Sequence, residues 1–232
     1  MKKALKFCYS SEKNFPDKSS RDMLHKLKKC LVALAIFFCI GVFLCYFQGS
    51  TRITFLTSQK SPSVTLNLPV IEIREKFIPY EEFCRRNPGE CKIAAPSMIE
   101  LNTEVWNLLE EVNTAVNSEI RFVIDRIQYN KEEFWTYPFS GMGDCEDIAL
   151  EKRLRLTKLG FPIGALSITI VHNKKMLGSH ALILVETTQG TFAMDRHYNQ
   201  ILLWYQLPYN FEARVRPDGR WERFDQSIWT YY

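Results

Sequence analysis

The sequence predicts an α+β domain, helices first and an antiparallel sheet after them, behind one apolar segment near the N-terminus. Three observations predict it. An uncharged run follows a basic arm, apolar residues then recur twice at helical spacing, and beyond Gly160 the pattern changes to short runs rich in β-branched and aromatic residues. The 232 residues are 46% apolar and 24% charged, which excludes a wholly disordered chain, a collagen-like repeat and a polytopic membrane protein. The net charge of +4 is concentrated at one end. Nine basic residues stand against three acidic ones between Met1 and Lys29, a local +6 that leaves the remainder at −2. With no basic surplus in the folded part, nucleic acid is not an expected partner.

Residues 1–29 read as a basic cytoplasmic arm, and residues 30–48 as a transmembrane anchor or signal segment. The uncharged core, Leu31 to Phe47, has 17 residues and spans about 25 Å as a helix, enough for a thin bilayer. The Lys-rich flank before it predicts an inner-membrane, single-pass topology with everything downstream in the periplasm. Phe47-Gln48-Gly49 is a poor cleavage site, so an uncleaved anchor is favoured; the alternative is a soluble periplasmic protein after signal cleavage. Residues 49–69 are rich in Ser and Thr and read as a spacer, and the domain proper is placed at 70–232.

This topology sorts the seven cysteines. Cys8, Cys30, Cys39 and Cys45 stay in the arm or beside the apolar segment, and only Cys84, Cys91 and Cys145 are exported. An odd count outside the membrane suggests one disulfide and one thiol. Cys84 and Cys91 flank the turn signal Asn87-Pro88-Gly89 and are the natural pair, which leaves Cys145. No CxxC occurs, so a structural zinc site is not expected.

Within the domain, Met98, Leu101, Val105, Leu108, Leu109, Val112 and Val116 predict a helix from Ser97 to about Asn117. Ile120 to Ile127 either continues it or starts a second. Asp144 to Leu159 is the other strong helix, stopped by Gly160 and Pro162. Strands are predicted at 166–172, 180–187, 191–195 and 200–205, and the aromatic segment 220–232 is expected to add an edge strand.

Cys145 stands where the turn Gly141-Met142-Gly143-Asp144 runs into a helix. A thiol there meets the positive end of the helix dipole and unpaired N–H groups, which favour the thiolate and can stabilise an oxyanion. A nucleophilic Cys needs a base, and the exported part offers His172, His180 and His197. His180 opens one predicted strand and Asp195 closes the next, so a hairpin can set the carboxylate beside the imidazole. Trp135, Tyr137, Phe139 and Met142 near this site either dock a partner or belong to the core; the sequence leaves both open.

The order Cys145, His180, Asp195 and its surrounding words resemble the bacterial transglutaminase-like cysteine proteinases. The resemblance is carried by Phe134-Trp135-x-x-Pro138, Gly141-x-Gly143-Asp144-Cys145-Glu146-Asp147-x-Ala149, the segment Phe83 to Cys91, Ile120-Arg121-Phe122 and Tyr209-x-Phe211, and it runs from about Phe83 to Phe224. The chain departs from the pattern at Ala181-Leu182-Ile183 after the His and at Arg196 after the Asp, where the family tends to have Asn. The resemblance implies a papain/transglutaminase-like fold and a thiol protease that cuts a large cell-surface adhesin to control biofilm attachment. It also implies Ca²⁺ held by Asp144 and Glu146, with Asp147 as a third ligand, and an inner-membrane cyclic-dinucleotide receptor as a partner. Three carboxylates around a thiol oppose its ionisation, and a bound cation offsets them. The competing readings are a transglutaminase-type acyl transferase with the same triad and a non-catalytic relative that only binds a peptide or receptor.

Overall fold

The computed structural model describes residues 64–74, 76–91, 98–175 and 178–231. The basic arm, the apolar segment and most of the spacer, with Cys8, Cys30, Cys39 and Cys45, lie outside the described residues. No helix among the described residues is long and apolar enough to cross a membrane.

The elements run β1 (Val70–Arg74), α1 (Ile78–Arg86), α2 (Thr103–Glu119), β2 (Arg121–Phe122), α3 (Asp125–Gln128), β3 (Met142–Gly143), α4 (Cys145–Lys158) and then β4 (Leu166–Asn173), β5 (Ser179–Thr187), β6 (Gly190–Asp195), β7 (Tyr198–Leu203), β8 (Tyr209–Val215) and β9 (Trp221–Phe224). This is the expected order of helices before an antiparallel sheet, with β1 as an addition. Seven strands pair antiparallel in the order β1-β9-β8-β4-β5-β6-β7, and β2 pairs parallel with β3 in a separate ribbon.

The sheet is apolar on both faces, which explains why β4 and β5 read as nearly continuous apolar runs. Ile168, Ile170, Ile183, Val185 and Met194 pack with Leu109, Val112 and Val116 of α2 and with Ile148 and Leu156 of α4. Val171, Leu182, Leu184 and Ala193 pack with Leu66, Phe211 and Phe224 in a second cluster. Leu66 marks one departure from expectation. Residues 64–69, read as spacer, pack against the domain: Leu66 is buried, its N–H donates to Thr191 Oγ1 at 2.8 Å, and Val64 bridges Gly190. Gly190 has φ 130°, and a Cβ there would sit 2.6 Å from the Val64 carbonyl, so only glycine lets this segment approach.

Other boundaries shift for local reasons. α2 begins at Thr103 because the Asn102 side chain accepts from the Val105 N–H at 2.9 Å and caps it. Ile99 is not helical but bridges Thr187. The stretch 120–127 neither extends α2 nor forms a full helix: it holds β2 and the single turn α3. The C-terminal strand is not an edge strand; β9 lies between β8 and β1, and β1 takes the edge. Cys84 near the end of α1 pairs with Cys91, as expected, closing the turn that follows that helix.

Candidate active site

The hairpin from β5 to β6 brings His180 and Asp195 together. His180 Nε2 lies 2.7 Å from Asp195 Oδ1, and both side chains are buried, Asp195 to within 1%. This pairing occupies Nε2 and leaves Nδ1 as the imidazole nitrogen for a reacting group. Asp195 pairs across the ladder with Tyr198, so Arg196 and His197 form the two-residue turn between β6 and β7. The His197 N–H donates to Asp195 Oδ1 at 3.1 Å, and Tyr209 of β8 donates its hydroxyl to Asp195 Oδ2 at 2.5 Å. Burial alone would push the Asp195 carboxyl up. The charge of His180 and the hydrogen bonds from His180 and Tyr209 overcome it and hold the carboxyl well below the usual carboxylate range. His172 takes no part in this pair; its Nε2 lies 2.6 Å from Glu212 Oε2.

Cys145 is the first residue of α4, with Asp144 at the N-cap, and α4 packs against β5, the strand that carries His180. Its Sγ lies 3.3 Å from Glu146 Oε2. Only the reduced Cys145 side chain can act as a nucleophile. Two of the aromatic neighbours belong to the core and one is exposed. Trp135 is fully buried, with its ring centroid 5.4 Å from Phe77 and 5.9 Å from Tyr80, and Tyr137 is buried, whereas Phe139 is 86% exposed.

The acids around the nucleophile face inward. Asp144, Glu146 and Asp147 are all buried, and two residues that sequence reasoning missed join them: Asp125 at the start of α3 and Glu133 in the loop before Trp135. Oxygens of Asp125, Asp144 and Asp147 come within 4.8 Å of one another, and so do those of Asp125, Glu133 and Glu146. The loop is shaped to hold them. Asp125 N–H donates to Asp144 Oδ2 at 3.2 Å, Thr136 N–H donates to Asp147 Oδ1 at 2.8 Å, and Phe134 N–H donates to Asp125 Oδ2. A Cβ on Gly143 would sit 2.7 Å from Asp147 Cβ, so glycine at this position makes room for that acid.

Burial first, and the neighbouring Asp144 charge after it, push Asp125 up to about 7 and Asp147 up to about 9. Glu133 rises to about 8, again mainly by burial, and Asp144 and Glu146 are raised for the same reason. Asp125 Oδ1, Asp144 Oδ1 and Asp147 Oδ2 are buried without a hydrogen-bond partner. Buried carboxylate oxygens of this kind need a proton or a cation. A group of four or five oxygens from flexible carboxylates suits Ca²⁺, which takes six to eight oxygen ligands. His180, Asp195 and His197 also lie close together, but their hydrogen bonds to one another and to Tyr209 account for that grouping.

No curated protein matches the chain in sequence. Among solved structures, Legionella pneumophila LapG is 25% identical over 51% of this chain and 68% of that one, with a TM-score of 0.45. The calcium-bound form of Legionella pneumophila LapG is 20% identical over 66% of this chain and 86% of that one, with a TM-score of 0.46. The profile of the bacterial transglutaminase-like cysteine proteinases (BTLCP) matches residues 71–228, which takes in every side chain of the site described above. The chain belongs to this family of cysteine peptidases.

Proposed function

We propose that the protein is a calcium-dependent cysteine endopeptidase, held at the inner membrane through residues 31–47 with its domain in the periplasm, that cuts a large cell-surface adhesin. Cys145 is the nucleophile, His180 the base and Asp195 the carboxylate that orients it. The observation that carries this reading is the buried His180–Asp195 pair on the strand against which the helix of Cys145 packs.

The chemistry follows from these groups. His180 takes the thiol proton, and the sulfur forms a bond to the peptide carbonyl carbon while the electron pair moves to oxygen, where N–H groups of the α4 start stabilise it. When the C–N bond breaks, the imidazolium returns its proton to the leaving amine. Water, deprotonated by His180, then attacks the thioester and releases the new carboxyl end and the thiol. Asp195 stays ionised throughout and steadies the imidazolium.

The residues that would hold the calcium ion are Asp144, Glu146 and Asp147, joined by Asp125 and Glu133. The buried, partnerless oxygens of Asp125, Asp144 and Asp147 support this. When bound, the ion would neutralise carboxylates that otherwise oppose the thiolate and would set the turn that presents it. The experiment is to incubate the reduced protein with the membrane-proximal part of a repetitive surface adhesin, in calcium and in EGTA, and to weigh the products. Two shorter chains in calcium and none in EGTA support the proposal. A crosslinked product of higher mass would replace it by acyl transfer to an amine.

A further inference from the structure

We infer that Tyr209 and His197 are positioning residues for the Asp195–His180 pair, fixed in one donor-to-acceptor direction by Arg196. The inference rests on the triad proposed above. Its starting point is that a guanidinium can only donate hydrogen bonds. Arg196 Nη1 lies 2.8 Å from His197 Nε2, so that nitrogen accepts and carries no proton. The ring proton of neutral His197 is then on Nδ1, which lies 3.2 Å from the Tyr209 hydroxyl and donates to it. With its oxygen accepting from His197, Tyr209 turns its own O–H to Asp195 Oδ2. Burial and the adjacent Asp195 charge push the Tyr209 ionisation up, which keeps the proton on the phenol.

The chain of donors therefore runs Arg196, His197, Tyr209, Asp195, and His180 approaches the same carboxylate from the other oxygen. Both Asp195 oxygens are occupied, so the carboxylate cannot rotate and the imidazole is pinned with Nδ1 outward. Arg196 is itself held: its guanidinium lies 4.0 Å from the centre of the Phe122 ring, a cation–π contact that ties the turn to β2. The Asn117 side chain on α2 donates to the Asp195 carbonyl at 3.0 Å and fixes the turn from the opposite side. The His197 ring lies 4.6 Å from that of His180, tilted 34° to it. This arrangement gives a role to Tyr209 and to the position where the chain departs from the family pattern.

The titratable and charged groups facing Asp195 are His180 from β5, His197 and Arg196 from the turn, Tyr209 from β8, Tyr198 from β7 and Lys152 from α4. The test follows alkylation of Cys145 by iodoacetamide in the reduced full-length protein from pH 5 to 9, read by mass spectrometry of the peptide that contains it. Tyr209→Phe keeps the ring and removes the one donor to Asp195 Oδ2 from β8. We expect its rate at pH 6 to fall about tenfold, the size of one hydrogen bond to a buried charge, with the pH midpoint moving toward that of an ordinary thiol. A Tyr209→Phe profile that overlays wild type, while that of His180→Ala is shifted, overturns the inference and spares the triad. A His180→Ala profile that overlays wild type overturns both. A second measurement needs no variant. Imidazole nitrogen NMR at pH 7.5 should show His197 neutral and protonated on Nδ1; a proton on Nε2 would contradict the relay.

Discussion

Removing calcium should loosen the turn before α4, and the structure sets the scale. Three buried carboxylate oxygens, Asp125 Oδ1, Asp144 Oδ1 and Asp147 Oδ2, have no hydrogen-bond partner, and each unmet buried polar group costs about 1–3 kcal/mol. A cation that satisfies them binds the folded chain and has no comparable site on the unfolded one. At a hundredfold excess over its dissociation constant it stabilises by about 2.7 kcal/mol. For a domain of this size that corresponds to a rise in Tm of roughly 5–10 °C. Differential scanning calorimetry of the reduced protein in 1 mM calcium and in EGTA measures it directly. Asp147→Asn is the sharper perturbation. The amide oxygen can still accept from the Thr136 N–H, so the fold keeps that contact, while Oδ2 becomes an N–H donor that a cation cannot use. This variant should lose most of the calcium shift and keep a Tm near that of the wild type in EGTA. Magnesium should stabilise less, because it demands tighter octahedral geometry and dehydrates reluctantly. Equal melting in calcium and EGTA would refute the assignment of these acids and leave them as helix-start residues.

Lys152 of α4 is buried, donates to Asn113 Oδ1 at 2.7 Å, and is pushed down to about 7 by desolvation. Between pH 7 and its unfolded pKa the unfolded chain holds a proton that the folded chain lacks, so this residue adds stability as pH rises, about 1.4 kcal/mol per pH unit. Lys152→Met should show a flatter rise than wild type in urea unfolding from pH 7 to 9, and parallel curves would mean that Lys152 is solvated. Replacing Cys84 and Cys91 together by Ser opens a short loop, and the loop-entropy relation puts the cost at roughly 2.5 kcal/mol in chemical unfolding. A cost below about 0.5 kcal/mol would show that the bridge closes a segment already ordered without it.

Much of this architecture was legible in the chain. α4 is stopped locally by Gly160, which has a positive φ just beyond its end, and the sheet strands β4 to β6 follow from β-branched runs between turn residues. The pairing of His180 with Asp195 was legible too, since a hairpin joined at Gly190 has few registers. What was hidden depends on partners distant in sequence. β8 carries Glu212 and Arg214 among its apolar residues, and these are satisfied by His172, Glu186 and Glu222 on other strands. β1 is exposed along its length and joins the sheet only through β9. Asp125 begins the single turn α3 and Glu133 lies in the irregular stretch after it, and they reach the acid cluster because β2 and β3 pair across nineteen intervening residues, 123 to 141. Tyr209 had a place in the family's pattern, but its role needed the position of Asp195.

The direct test of Cys145 as nucleophile is to mix the reduced protein with the adhesin segment in calcium, quench in acid within the first turnover, and measure the intact mass. The wild type should carry the N-terminal product fragment as a thioester on Cys145, lost on standing at neutral pH as water takes its place. Cys145→Ala should carry no adduct and cut nothing, while melting at nearly the same temperature. Cleavage by Cys145→Ala at the wild-type rate would contradict the account outright.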